Sequence, residues 1–154
     1  MKRLLASLVF LTILLSSGTF YAADAGSING LWWNQEKNAQ IEIYPSGDLF
    51  FGKITFLNEP VYPPDDTMGM AGRTKVDRKN PDPLKRNRPL LGLQILDSFK
   101  QYSDNLWEDG HIYDPKNGKT YRCKMTLEKP DILSVRGFIG ISLLGRTATW
   151  TRVK

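Results

Sequence analysis

The sequence holds one cysteine, Cys123, and one histidine, His111. A single cysteine excludes an intrachain disulfide. A single histidine excludes a multi-histidine zinc site, and any Ser/His/Asp or Cys/His nucleophilic apparatus would have to use His111. That residue sits beside a turn, where a solvated strand end explains it. Cys123 falls in the apolar phase of its segment, as a buried inert thiol would. Apolar spacing near 3.6 residues is also missing from the C-terminal third, which argues against helices there.

What is present begins with a leader pattern. Lys2 and Arg3 precede an apolar run from Leu4 to Leu15, shorter than the about 20 residues that span a bilayer comfortably. Ala23-Asp24-Ala25 fits a small-x-small cleavage site. The expectation is a signal peptide over residues 1–25 and one mature domain over 26–154, periplasmic or secreted. The formal net charge is +5, and loss of Lys2, Arg3 and Asp24 would leave a mature chain of about +4. That balance allows a weak attraction to a membrane surface. For a chain expected to be exported, with a basic run that lacks interleaved aromatics, nucleic acid is a poor partner. No cofactor motif is found.

The mature sequence is written in period two. Tyr121, Cys123, Met125 and Leu127 alternate with Arg122, Lys124, Thr126 and Glu128. Leu133 and Val135 alternate with Ser134 and Arg136, and Ala148, Trp150 and Arg152 alternate with Thr147, Thr149 and Thr151. Asp114 to Lys119 is turn chemistry: Asp opens, Pro115 presets φ, and Asn117-Gly118 tolerates positive φ. Lys129, Pro130 and Asp131 make a second break. Nearer the start, Leu31 to Asn34 begins a strand. Ile41 and Ile43 share one face of the next, and a turn at Pro45 to Asp48 leads into a third at 49–57. There Phe50, Ile54 and Phe56 read as one face, with Lys53 and Thr55 on the other. A strand resumes at Gly92 to Ile95, and the three-residue spacing of Leu96, Phe99 and Tyr102 leaves a helical turn open after it.

Between them, residues 58–89 carry six prolines and no sustained period. This connection is long for a compact domain. Its second half is basic: Arg73, Lys75, Arg78, Lys79, Lys85, Arg86 and Arg88. Asp82 is placed to cap a short helical turn starting at Pro83. About eight short strands with one long crossover predict an all-β, antiparallel barrel, because closure removes sheet edges.

Ordered motifs along the chain resemble a known family. They include Asn80-Pro81-Asp82, Arg88-Pro89-Leu90-Leu91-Gly92-Leu93, Ile112-Tyr113-Asp114-Pro115, Gly118-Lys119-Thr120-Tyr121, Arg136-Gly137-Phe138-Ile139-Gly140, and Gly145-Arg146-Thr147 through Trp150-Thr151-Arg152. Together they are similar to the bacterial domain-of-unknown-function family 2147. The resemblance implies an extracytoplasmic lipocalin-like barrel and no established substrate or catalytic residue. Gly30-Leu31-Trp32 is also similar to the lipocalin Gly-x-Trp, whose tryptophan packs under a late basic residue. Arg152 is the candidate, ahead of Arg146, through a cation–π contact that closes the barrel base.

Two functional readings follow. In the first, Phe50, Ile54, Phe56, Tyr121, Met125 and Trp150 line a cavity for a small apolar or amphipathic ligand. In the second, side chains fill the barrel, and the protein is an envelope interaction module using its basic Pro-rich loop. A catalytic pair drawn from Asp77, Asp82, Asp109 and Asp114 is a third and weaker reading, since turn or capping roles account for two of them.

Overall fold

The computed structural model describes residues 27–154, so the expected leader at 1–25 lies outside the described residues. Eight strands follow in order: β1 (Gly30–Trp33), β2 (Ala39–Ser46), β3 (Leu49–Leu57), β4 (Gln94–Ser103), β5 (Leu106–Asp114), β6 (Lys119–Lys129), β7 (Ile132–Phe138) and β8 (Arg146–Arg152). Each pairs antiparallel with the next, and β8 returns to β1 through Trp32↔Arg152 and Trp33↔Thr151. The barrel is closed, as the strand count and turns predicted.

The turns sit where their residues place them. Gly47 at φ 60 allows the two-residue connection from β2 to β3. Gly118, at φ 73, ends the turn from β5 to β6, and the Lys79 carbonyl packs so closely on it that a Cβ would not fit. The Asp82 side chain caps a 3-10 turn, Pro83–Lys85, by accepting from the Leu84 N–H.

Bulges explain where simple alternation fails. Gln40 pairs with Phe56 but Ile41 pairs with Ile54, so Thr55 is an additional residue in β3. One extra residue reverses the side-chain phase beyond it. Ile54 therefore points in, while Phe56 points out and is 42% exposed, contrary to its expected place on the inner face. A helical turn is likewise absent after Leu96; β4 runs unbroken for ten residues. Ser98 takes φ 58 and adds a residue opposite β3, so that Leu96 and Phe99 both enter the core three positions apart. Asp109, at φ 61, does the same for β5 against β6 and brings Gly110 inward after Trp107.

One apolar cluster lies inside the barrel. Its members include Trp32, Ile41, Ile43, Ile54, Leu96, Phe99, Trp107, Met125, Leu133 and Trp150, all buried.

Candidate functional site

The base of the barrel is built around Trp32, which is fully buried. Its indole N–H donates to the Ile28 carbonyl at 2.8 Å. The Arg152 guanidinium lies 4.3 Å from the ring centroid. Its Nη1 donates to the Asn29 carbonyl at 2.8 Å, its Nη2 to Ser27 at 2.7 Å, and its Nε to Pro130 at 2.7 Å. Three carbonyls from two chain segments thus receive one planar donor fork, whose other face covers an aromatic ring. Arg146, the second candidate, sits at the far end of β8 and is exposed.

The six residues proposed to line a cavity do not share one environment. Ile54, Met125 and Trp150 are buried in the cluster. Phe50 is partly buried and meets Trp107 edge-on, ring centroids 5.9 Å apart. Phe56 lies outside, edge-on to Trp33 at 5.8 Å. Tyr121 is half-buried at the loop end, and its hydroxyl accepts from Asn117 Nδ2 at 3.0 Å in the neighbouring turn. The residues missed by the sequence reading are Leu96 and Phe99, both fully buried in the cluster. The Phe99 ring lies directly on Gly110, and Leu96 lies on Gly52, so closely that a Cβ at either glycine would overlap them. Their signal was the three-residue spacing in β4, which a strand without a bulge would not produce.

The connection from β3 to β4 is an ordered strap. Two isolated bridges, Val61↔Thr74 and Val76↔Pro89, fold it on itself. At its centre is Asp77, fully buried. Its Oδ1 accepts from the Tyr113 hydroxyl at 2.5 Å, and its Oδ2 from Asn80 at 2.7 Å and Arg88 at 2.8 Å. Burial and this bond to Asp77 push the Tyr113 phenol up to about 12. The basic run is therefore mostly spoken for within the strap. Arg78 pairs with Asp66 at 2.7 Å and lies 4.1 Å over Tyr62, Lys75 pairs with Glu59, Lys85 pairs with Asp82, and Arg86 donates to the Asn80 carbonyl. The Arg78 guanidinium, with help from the Met70 and Met68 N–H groups, lowers the Asp66 carboxyl. Arg78 and Arg88 tie the strap to itself, while Arg73, Lys79, Lys85, Arg86 and Arg88 keep exposed surface.

The loop from β7 to β8 contrasts with the strap. Ile139, Ile141, Leu143 and Leu144 are between 62% and 82% exposed. Its backbone is held from below: Arg136 Nε donates to the Ser142 carbonyl at 2.9 Å and Nη2 to Leu143 at 3.2 Å, while Nη1 donates to Thr147 Oγ1 at 2.7 Å. Between this loop and the outer face of β5 and β6 runs a cleft of about 340 Å³, walled by Glu108, Arg122, Lys124, Phe138 and Ile141.

His111 is exposed on the outside of β5. Burial pushes the Cys123 thiol up to about 12, far from a reactive thiolate. Among the described residues, no group of three His, Cys, Asp or Glu side chains is placed to hold a metal ion.

Fold and base together define a lipocalin-like barrel. The chain belongs to the family described as "Uncharacterized protein conserved in bacteria (DUF2147)", whose model matches residues 30–152. Among solved structures it is similar to protein HP1028 from Helicobacter pylori, described as belonging to the lipocalin family. The TM-score is 0.69 at 22% identity, over 83% of this chain and 84% of that one. No curated protein matches the sequence.

Proposed function

We propose that this protein is an exported, non-enzymatic module of the bacterial envelope. On this reading its barrel is a filled scaffold, and its working surface is the loop-bearing rim opposite the Trp32 base. The observation that carries it is the one cluster of side chains inside the barrel, in which Trp32, Leu96, Phe99, Trp107, Met125 and Leu133 are each no more than 1% exposed. An eight-stranded barrel holds either its own side chains or one small ligand. Here large side chains occupy the space that a guest would need, and three of the six residues proposed to line a cavity are part of that packing. The leader pattern supports export. N-terminal sequencing of protein from the envelope fraction is expected to find a chain starting near Gly26. A chain still starting at Met1 would remove the cleaved-leader part of the reading.

One observation favours a carrier instead. Trp107 is buried in the barrel, and its Nε1–H has no acceptor. An unsatisfied buried donor costs about 1–3 kcal/mol, and a small guest bearing an acceptor would relieve it. Titration with an apolar fluorescent probe separates the two readings. The filled barrel gives no saturable signal. Saturable uptake by the wild type that is abolished in Ala148→Trp would overturn the filled scaffold and establish the carrier.

A further inference from the structure

We infer that the loop from β7 to β8 is a membrane-docking tip, inserting Ile139, Ile141, Leu143 and Leu144 into the surface of an anionic phospholipid bilayer. The argument starts from the anchoring of the loop. Arg136 satisfies the carbonyls of Ser142 and Leu143 from beneath, and Gly145 is pressed against the Gly137 carbonyl, with no room for a Cβ. The backbone is thus fixed toward the protein, and the four aliphatic side chains are presented outward. They are among the most exposed large apolar residues described. A protruding apolar tip of this size has no solvent-facing purpose, and contiguous exposed apolar surface marks an interaction site.

Charge selects the occupant. No Asp or Glu follows Asp131 in the sequence, so the loop and both strands that carry it are free of acids beyond that point. Arg146 is exposed at the neck of the loop, and Arg122 is exposed on the neighbouring strand, 5.5 Å over the Phe138 ring. Lys124 lies on the wall of the adjoining cleft. Two acids face this region from β5. Asp109 accepts from the Tyr102 hydroxyl and lies 3.8 Å from Lys100, while Glu108 lies on the far wall of the cleft. An aliphatic tip with cations behind it matches the acyl boundary and the anionic headgroups of one leaflet. This inference rests on the rim as the working surface and not on the filled interior. Probe uptake by the barrel would overturn the scaffold reading and leave the tip standing.

The test uses the purified protein and two kinds of vesicle, phosphatidylglycerol with phosphatidylethanolamine and phosphatidylcholine alone, in a sedimentation assay at low salt. Binding to the anionic vesicles is expected, with much weaker binding to the neutral ones. Leu143→Ser/Leu144→Ser should weaken it by at least about tenfold, given the apolar groups removed from the interface. Arg146→Gln should weaken it by about fivefold, and added salt should erase that difference. Both side chains of the double variant are exposed, so an unchanged thermal melt confirms that it folds. Failure of the wild type to bind anionic vesicles, or equal binding by the double variant, overturns the proposal. A wild-type dimer that the double variant abolishes, without vesicle binding, overturns it in favour of a second copy of this chain.

Discussion

The two ends of the barrel use similar residues to opposite effect. At the base, an arginine holds three carbonyls and covers an aromatic ring, and everything it touches belongs to the domain. At the rim, Arg136 also holds carbonyls, but the apolar side chains of the same loop are turned to solvent. The base is therefore a stability element. The rim loop is built with equal care and contributes little to the core, which is the pattern expected where a surface is kept for contact with something else.

The largest test of this contrast is at the base. Trp32→Ala is expected to cost about 3–5 kcal/mol, as for other buried tryptophans. Arg152→Ala should cost about 2–3 kcal/mol, because three carbonyls lose a charged donor. Denaturant melts of the two single variants and the double should show losses that do not add, since the groups are in contact. Simple additivity would mean that the stack contributes nothing.

Next comes the seat of Phe99 on the neighbouring strand β5. Gly110→Ala forces a Cβ into the Phe99 ring and should cost about 1–3 kcal/mol by overpacking. Phe99→Leu in the same chain should recover part of that loss. Recovery would tie the cost to this one contact, whereas an unchanged melt for Gly110→Ala would show that the interior has room to spare.

A smaller effect is expected where the strap meets the barrel. The Tyr113 phenol is raised by burial first and by the hydrogen bond to Asp77 second. A pKa raised in the folded state means that the neutral phenol supports the fold. That support is complete below about pH 10, the ordinary tyrosine value, and is lost as pH climbs toward about 12. Absorbance titration should show a late-ionising tyrosine that Tyr113→Phe lacks. Tyr102, also raised through its bond to Asp109, stays in both proteins as an internal control.

The smallest effect belongs to the rim. Leu143→Ser should change stability by less than about 0.5 kcal/mol, as exposed substitutions do. A loss comparable to that at Gly110 would show that the loop packs as core and would erase the contrast between the two ends.

Sequence alone determined the barrel, because its evidence is local. Period two in Tyr121 to Leu127, the turn at Asp114 to Lys119, and the strand count needed no long-range information. The pairing of Trp32 with Arg152 was also legible, through the resemblance of Gly30-Leu31-Trp32 to a known arrangement. What only the tertiary structure decided lies where one residue shifts the phase. Thr55 turns Phe56 outward, and Ser98 and Asp109 bring Phe99 onto Gly110. A bulge is defined by the partner strand, and nothing within one strand declares it. The same holds for Asp77, whose four-residue cluster gathers Asn80, Arg88 and Tyr113 from two segments of the chain. It holds again for the loop at 139–144, because whether an aliphatic side chain is core or surface depends on what the rest of the fold brings to cover it.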